Sequence, residues 1–515
     1  MEARNLLFIM CDQLRADHLS CYGHPRLNTP NLDALAARGV QFDNAFVQSG
    51  VCGPSRMSFY TGRYVSSHGA TWNRVPLSVA ELTLGDYLRA AGRALTLVGK
   101  THVMPDRAGL ARFALDGTSE LGALLARGSF NEALRHDGHH AEPAASYADW
   151  LRAQGYAGDD PWTEYVISVT DDAGRAQSGW HMRNCRWPAR VREEHSETAY
   201  TTDRALEFIR AQGDSPWALH LSYVKPHWPY VAPAPYHALY SSADALPVQR
   251  AAAELDDPHP VLAAYRRQEE CVNFMRDEVI EVVRPAYMGL VRQIDDHLGR
   301  LWRLLEELGR WRDTLVVFTS DHGDFLGDHW LGEKEHFFDA VTRVPLIAAA
   351  PGGASGRRIA DFVEAIDVVP TVLDALGMAP AEHRVEGRSL APWLAGATPA
   401  EWREAVFAEL DFSYREARRT LGLAPDRGYA WMVRTADWKY VHWLDLPPQL
   451  FDLRNDPQEL HDLGRAPGCE PRRDEMRRRL LDWFVRLKRR TTVTLAQVEE
   501  GTAAYKRAGV FYGQW

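Results

Sequence analysis

The chain has 515 residues, of which 45% are hydrophobic and 25% are charged, and its formal net charge is −10. This length is sufficient for a large core and two domains, and the composition is typical of a globular protein. The acidic balance argues against a nucleic-acid partner. The sequence contains no apolar run of membrane-spanning length, so we expect no membrane partner.

The first apolar run, residues 6–10, lies just before Asp12 and is too short for the core of a signal peptide. We interpret it as a buried strand. The six cysteines are scattered without paired spacing, which signals neither a disulfide framework nor a zinc knuckle. Together these features predict a cytoplasmic protein.

Strand and helix signals alternate through the first three quarters of the chain. Buried strands are predicted at residues 6–10, 95–98, 217–223, 314–320 and 346–350. Helices are predicted at residues 31–38, 78–91, 197–212 and 288–309. This alternation predicts a doubly wound α/β sheet covered by helices on both faces, with functional groups at the carboxyl ends of the strands.

Residues 103–194 depart from this alternation, and we interpret them as an insertion over a pocket. Within it, His136, His139 and His140 fit a solvated loop better than a metal cluster, because no Cys or carboxylate completes the spacing.

A change of pattern near residues 396–399 predicts a catalytic α/β domain at 1–398 and a smaller α+β domain at 399–515. The strongly basic helix predicted at 472–490 is interpreted as a solvated face rather than a partner surface.

The most informative stretch is VCGPSRMSFYTGR, residues 51–63. Pro54 suits the first turn of a helix, because its missing N–H costs nothing there. A helix that begins there places Arg56 one turn beyond Cys52 on the same face. The side chain of residue 52 would then lie at the positive end of the helix, which is a site for a tetrahedral anion.

Two carboxylates follow predicted strands directly. Asp12 comes after residues 6–10, and Asp321 comes after residues 314–320. They are the obvious pair to hold a divalent cation, which can neutralise an anionic ester. Each alone would also suit a helix cap or a turn.

The Cys-Gly-Pro-Ser-Arg run resembles the activation motif of type I sulfatases, in the alkaline phosphatase superfamily. Other segments resemble sulfatases in the expected order: TPNLD at 29–33, TSDHG at 319–323, DVVPT at 367–371, GRSL at 387–390 and LFDL at 450–453. The chain most resembles the branch of arylsulfatases and phosphonate monoester hydrolases. The resemblance implies an alkaline phosphatase-like fold with a large mixed sheet. It also implies that a maturation enzyme converts Cys52 to formylglycine, whose hydrate is the nucleophile.

The resemblance implies a metal held by Asp12, Gln13, Asp321 and His322, with the hydroxyl of residue 52 completing the shell. Sulfatases usually have a second Asp where this chain has Gln13, so two anionic protein ligands remain. Oxygen-rich sites favour calcium, whereas an imidazole broadens the choice towards manganese. Both metals therefore stay open.

Lysine is scarce, at six of the 59 basic residues, and the motif GKTH contains one of them. The resemblance implies that Lys100 steadies the formylglycine hydrate. His102 would take the proton from its remaining hydroxyl, so that the sulfated hemiacetal collapses and sulfate leaves. Arg56 would bind the nucleophile and the developing charge.

Three further residues match substrate contacts of the family. His227 in KPHWPY matches a substrate-contacting histidine, and Lys334 in GEKEHF matches the lysine that contacts sulfate and protonates the leaving oxygen. Asn73 matches a polar contact of the phosphonate hydrolase branch. Lys225 lies in the same motif as His227, and we interpret it as a bystander.

The predicted function is hydrolysis of sulfate monoesters, with promiscuity towards phosphonate monoesters and phosphodiesters. The alternative is a phosphonate monoester or phosphodiester hydrolase, since all these substrates carry one charge at a tetrahedral centre. A different enzyme class would use Cys52 as a thiolate nucleophile, but the metal carboxylates would then have no task. A non-catalytic binding module would have lost some of the six catalytic residues, and all are present. The sequence does not identify the alcohol or phenol released.

The stretch at 501–515 carries Tyr505, Phe511, Tyr512 and Trp515 without helical or strand periodicity. Aromatic residues are enriched at interfaces, so we expect a homo-oligomer. Packing of this tail against its own subunit is the alternative.

Overall fold

The structure is a computed structural model that describes residues 2–138 and 145–511. Within these residues, strands β1–β14 are Asn5–Asp12, Val40–Phe46, Leu95–Gly99, Asn131–Arg135, Ser168–Thr170, Ala176–Ser178, Ala218–Pro226, Thr314–Ser320, Arg343–Ala349, Arg357–Glu364, Ala405–Asp411, Tyr429–Thr435, Trp438–Trp443 and Gln449–Asp452. Helices α1–α18 are Pro30–Arg38, Cys52–Thr61, Val65–His68, Leu84–Ala90, Arg107–Arg112, Glu120–Ala126, Ala145–Ala153, Glu197–Ala211, Pro260–Tyr265, Glu269–Val272, Asp277–Glu307, Asp339–Thr342, Val368–Ala375, Ala391–Leu394, Glu416–Thr420, Glu470–Val485, Leu495–Gly501 and Ala504–Arg507.

The main sheet has eight strands in the order β10-β2-β9-β8-β1-β7-β3-β4. Strand β1 lies inside it and pairs in parallel with β7 and β8, with Leu6 opposite Ala218 and Leu315. Strand β9 runs antiparallel to β2 and β8, so the sheet is mixed. Every residue of β1 is buried, which explains the continuous apolar run between its polar end residues, Asn5 and Asp12.

Alternate residues of β1 face two hydrophobic cores on opposite sides of the sheet. Leu7 and Ile9 pack in one core with residues of α8 and α11. Leu6 and Phe8 pack in the other with residues of α2 and α13. This alternation follows from the two-residue period of a strand. It confirms the predicted α/β sheet with helices on both faces.

Two predicted helices have different bounds in the structure. Helix α11 begins at Asp277 rather than at residue 288, and Pro285 lies within it. Because a proline normally marks a helix boundary, the sequence did not indicate the turns of α11 that precede residue 288. Helix α4 covers only part of the predicted 78–91, because Asp86 accepts a hydrogen bond from the backbone N–H of Thr83 at 2.8 Å and fixes the start there.

Strands β11–β14 form a separate antiparallel sheet, which confirms the smaller C-terminal sheet domain. The predicted basic helix is α16, and it ends at Val485. Its residues Met476, Leu480 and Trp483 are buried against Tyr440 of this sheet, so only part of the helix is solvated. The domain boundary at 398/399 stays a prediction.

The insertion at 103–194 is more regular than its sequence suggested. Strand β4 extends the main sheet beside β3, and β5 and β6 form a hairpin. His136 is buried and forms a hydrogen bond with Glu197 at 2.7 Å, so its assignment to a solvated loop is wrong. His139 and His140 lie outside the described residues.

The stretch at 501–515 contains the short helix α18, although the sequence showed no period there. Phe511 is 55% exposed, and Tyr512 and Trp515 lie outside the described residues. The homo-oligomer therefore stays a prediction. Among the helices of residues 2–138 and 145–511, none is long and apolar enough to cross a membrane.

Candidate active site

Four strands deliver polar residues to one edge of the main sheet. Asp12 ends β1, Lys100 follows β3, His227 follows β7 and Asp321 follows β8. These strands are parallel neighbours, so their carboxyl ends meet at the same edge. This is the position at which open α/β sheets bind ligands.

Helix α2 begins at this edge with Cys52 as its first residue, two residues before the predicted start at Pro54. Its cap residue, Val51, offers no side-chain acceptor. Instead, Oδ1 of Asn73 accepts a hydrogen bond from the backbone N–H of Gly53 at 2.7 Å. Asn73 therefore satisfies one of the free N–H groups at the helix start, beside the side chain of Cys52.

Asp12, Cys52, Asp321 and His322 form a fully buried group whose ligand atoms all lie within 4.8 Å of one another. Sγ of Cys52 is 3.1 Å from Nε2 of His322 and 3.7 Å from Oδ1 of Asp12. Nδ1 of His322 donates to the carbonyl of Gly323 at 2.8 Å, which directs Nε2 towards the group. This donor set suits a divalent cation.

Gln13, the fourth predicted protein ligand, lies beside this group. Its Oε1 accepts a hydrogen bond from Nζ of Lys334 at 3.1 Å, and its Nε2 donates to Asp324 at 2.6 Å. Its backbone N–H donates to Oδ1 of Asp321 at 3.0 Å. The amide of Gln13 thus links Lys334 to Asp324, and its coordination of a metal stays a prediction.

Buried cations neutralise the two carboxylates. Nε of Arg56 donates to Oδ2 of Asp321 at 2.7 Å, and Nζ of Lys100 pairs with Asp12. Burial would raise the pKa of Asp12, but the surrounding buried cations, Lys100 foremost, outweigh it and hold this pKa well below its usual range. Asp12 therefore stays ionised without contact with water.

The guanidinium of Arg56 is held entirely by the protein. Besides Asp321, it donates from Nη1 to Oγ of Ser222 at 2.8 Å and to the carbonyl of Lys100 at 2.9 Å. Arg56 thus acts on the site by fixing Asp321 and the chain at Lys100, and the sequence alone gave no sign of Ser222.

The pKa values of His322 and Cys52 depend on each other. Burial would lower the pKa of His322, but Asp321 and Cys52 raise it to about 9. Burial and Asp12 would raise the pKa of Cys52, but Lys334, Lys100 and His322 lower it below its ordinary value. The site therefore favours negative charge at position 52.

His227 and Lys334 meet beside this group. Nδ1 of His227 donates to the carbonyl of Trp228 at 2.7 Å, and Nε2 accepts from Nζ of Lys334 at 2.7 Å. Burial would lower the pKa of Lys334, but Cys52 and Asp12 raise it above its ordinary value. The pair is therefore a neutral imidazole bound to an ammonium.

A pocket of about 930 Å³ opens above this edge. Four predicted site residues line it: Asn73, His102, His227 and Lys334. Its walls also contain aromatic residues: Trp72, Trp180, Trp228, Tyr230, Phe274 and Tyr414. Charged residues also line the pocket, among them Arg74, Arg135, Glu270 and Arg415, so it offers a ligand both aromatic and ionic contacts.

Sequence reasoning missed several residues of this pocket. Asp137, in the insertion, accepts a hydrogen bond from the backbone N–H of Thr101 at 3.0 Å and so holds the loop before His102. Tyr414 and Arg415 reach the pocket from the C-terminal region, and Arg415 pairs with Glu270 at 2.7 Å. Residues so distant in sequence offered no local signal.

Comparison with known proteins identifies the family. The family model described as "Sulfatase" matches residues 4–378. The chain belongs to the sulfatase family. A second model, "N-sulphoglucosamine sulphohydrolase, C-terminal", matches residues 327–485.

Relatives and solved structures agree with this sulfatase assignment. The chain is 33% identical to "Multifunctional alkaline phosphatase superfamily protein PehA" of Trinickia caryophylli, over 94% of this chain and 95% of that protein. It is 32% identical to the choline-sulfatase of Rhizobium meliloti strain 1021, over 90% and 83%. The solved phosphonate monoester hydrolase SpPMH of Silicibacter pomeroyi is similar with a TM-score of 0.83 and 32% identity, over 94% and 95% of the two chains.

Proposed function

We propose that this sulfatase hydrolyses sulfate monoesters, with aryl sulfates as its best substrates, after Cys52 has been converted to formylglycine. One observation carries the proposal. Cys52 lies at the start of α2, within a buried group of two carboxylates and an imidazole, beside a pocket lined by His227 and Lys334. The hydrate of a formylglycine there would supply the attacking hydroxyl.

A divalent metal fits the residues around Cys52. Asp12, Asp321 and His322 would hold it, with Gln13 as a fourth protein ligand, and its charge would bind the ester anion and acidify a hydroxyl. Lys100 and Arg56 already neutralise the carboxylates, which lets two anionic ligands persist in a buried site. Calcium and manganese are both proposed, since carboxylate and amide oxygens suit either and imidazole suits manganese.

The remaining residues would divide the proton transfers. Lys100 holds Asp12 and is positioned to steady the group at residue 52, and His102 in the pocket wall would act as the general base. Lys334 would donate a proton to the leaving oxygen while His227 orients it through their hydrogen bond. Asn73 would hold the helix start and contact the substrate.

The test begins with the protein co-expressed with a formylglycine-generating maturation enzyme. Peptide mass spectrometry should show a loss of about 18 Da at Cys52, and the product should hydrolyse 4-nitrophenyl sulfate. Chelation and Asp321→Ala should remove both metal and activity. Asp374→Ala, an exposed residue on α13, is the matched control and should retain both. Full activity with only unmodified Cys52, or without stoichiometric metal, would reject the proposal.

A second candidate is a phosphonate monoester or phosphodiester hydrolase with the same residues. The likeness to SpPMH over nearly the whole chain favours it. Comparison of kcat/KM for 4-nitrophenyl sulfate and 4-nitrophenyl phenylphosphonate separates the two candidates.

We also propose that the protein is a cytoplasmic homo-oligomer with a domain boundary at 398/399. All six cysteines are free, which suits a reducing compartment. Sedimentation at micromolar concentration should show more than one subunit per particle, and a monomer would reject the oligomer.

A further inference from the structure

Lys225, which the sequence analysis set aside as a bystander, is buried beneath the loop that carries His227. Only 6% of the residue is exposed. Its Nζ donates to the main-chain carbonyl of His227 at 3.2 Å and to that of Pro229 at 3.0 Å. One ammonium thus fixes the main chain at and beyond His227.

This ammonium is itself held in place by a buried carboxylate. Oε2 of Glu197, the first residue of α8, lies 3.8 Å from Nζ of Lys225. Oε1 of Glu197 accepts from Nε1 of Trp162 at 2.9 Å and forms a hydrogen bond with Nε2 of His136 at 2.7 Å. With its other oxygen occupied, Glu197 turns Oε2 towards Lys225.

The arrangement continues from the main chain into the active site. Nδ1 of His227 donates to the carbonyl of Trp228, so the path of the chain sets the direction of the imidazole ring. The ring then accepts from Nζ of Lys334, which also donates to Gln13. A change in the main chain at residues 227–229 would therefore move the acceptor that holds Lys334.

We propose that Lys225 is a positioning residue: through the carbonyls of His227 and Pro229 it holds the His227 imidazole at the distance that orients Lys334. Glu197 and His136 support it by fixing the ammonium. This inference rests on the proposed function, in which Lys334 contacts the leaving oxygen. A lysine that only fills the core would affect stability and leave catalysis unchanged.

The first experiment compares the metal-loaded, matured wild type with Lys225→Met, which keeps the aliphatic stem and removes the donors. We expect kcat for 4-nitrophenyl sulfate to fall at least about tenfold, because displacing a catalytic group by a fraction of an ångström is costly, while KM changes less than about twofold. In a His227→Ala background the same substitution should cost less than about twofold, since its effect passes through His227.

Arg310→Met is the matched control. Arg310 is also buried, donates to the carbonyl of Gly213 and pairs with Asp214 at 2.9 Å. It lies just before the amino end of β8, whereas the active site lies at the carboxyl end of this strand. It should lower the melting temperature without lowering kcat. If Lys225→Met does not fold, Glu197→Gln is used instead, and the same pattern with a smaller decrease in kcat is expected.

A crystal structure of the Lys225→Met variant tests the inference independently of catalytic activity. The separation of His227 Nε2 and Lys334 Nζ should increase beyond hydrogen-bonding distance, about 3.5 Å. An unchanged separation, an unchanged kcat, or an equal loss in the His227→Ala background would overturn the inference. Failure of the proposed function can be distinguished from failure of this inference. In that case the wild-type protein with formylglycine at position 52 would hydrolyse none of the sulfate or phosphonate esters.

Discussion

Nε2 of His227 accepts a hydrogen bond from Nζ of Lys334 at 2.7 Å, although the two residues are 107 positions apart in the sequence. The other ring nitrogen of His227 is a donor to the carbonyl of Trp228, so the ring is neutral and the proton of the pair resides on Lys334. Cys52 and Asp12 overcome the effect of burial and raise the pKa of Lys334, which keeps this ammonium charged. A proton donor thus stands at the pocket wall.

The first prediction concerns the leaving group. Lys334→Met should lower kcat/KM for phenyl sulfate about tenfold more than for 4-nitrophenyl sulfate, because phenol needs protonation more than 4-nitrophenol does. Lys506→Met, at an exposed lysine, is the control and should change neither value. Equal losses for both esters would show that Lys334 binds the anion without donating a proton.

The second prediction concerns pH and the metal-free protein. The pKa of His322 is raised to about 9, because Asp321 and Cys52 outweigh its burial, whereas the ordinary value is about 6.5. Protonated His322 therefore contributes its full stabilisation below about pH 6.5, and this contribution is lost as the pH rises through 9. The melting temperature of chelator-treated protein with unmodified Cys52 should decline over this interval.

His322→Gln should flatten this decline, whereas His461→Gln, at an exposed histidine, should leave it unchanged. The metal-loaded protein should also show a flatter profile, since a metal competes with the proton at Nε2. A decline that is equally steep in His322→Gln would assign the effect to another group.

The third prediction concerns the protein in which Cys52 is unmodified. Tetrahedral zinc with bonds of about 2.0–2.3 Å needs ligand atoms roughly 3.3–3.8 Å apart. The separations of Cys52 Sγ and Asp12 Oδ1 from His322 Nε2 are 3.1 and 3.7 Å, close to that range. Since thiolate and imidazole are ligands that zinc favours, the unmodified protein should bind zinc tightly.

Cys52→Ser should weaken zinc binding at least about tenfold and manganese binding less than about threefold, because manganese prefers oxygen ligands. Competition with a chromophoric chelator measures both affinities. Equal losses for the two metals would mean that Cys52 does not ligate.

Much of the fold was predictable because buried strands and helices have characteristic patterns of apolar residues in the local sequence. Strand β8 has the bounds that its apolar run predicted, and Pro54 marked the first turn of α2. Polar residues directly after strands β1 and β8 then indicated the edge where Asp12 and Asp321 meet. These predictions needed only the apolar runs of buried strands, the preference of proline for the first turn of a helix and the geometry of parallel sheets.

The rest depended on contacts between distant segments. The hydrogen bond from the backbone N–H of Gly53 to Asn73 forms because the chain after α2 folds back against the start of that helix. No helical or strand pattern around Asp324 or Arg415 indicates which way its side chain points. Asp324 accepts from Gln13, and Arg415 reaches the pocket from the C-terminal region. The role proposed for Lys225 depends on the carbonyls of His227 and Pro229 that it contacts in the folded chain, which its sequence position does not reveal.

The last prediction concerns which ester is preferred. A sulfate monoester or a phosphonate monoester brings one negative charge to the site, whereas a phosphate monoester brings nearly two. Asp12 and Asp321 already take up much of the charge of Lys100 and Arg56, through contacts buried from solvent. Lys334 contacts Gln13 and His227 rather than these carboxylates, and we expect the site, with its proposed metal, to suit one unit of substrate charge.

We therefore expect aryl sulfates to be hydrolysed best, phosphonate monoesters and phosphodiesters measurably, and phosphate monoesters poorly. The measurement is kcat/KM for 4-nitrophenyl sulfate, 4-nitrophenyl phenylphosphonate and 4-nitrophenyl phosphate, and each tenfold ratio corresponds to about 1.4 kcal/mol of transition-state preference. If kcat/KM for the phenylphosphonate is more than about tenfold higher than for the sulfate, the protein is a phosphonate monoester hydrolase rather than an arylsulfatase. Preference for the phosphate monoester would contradict the charge argument itself, since the site would then accept nearly two units of negative charge more readily than one.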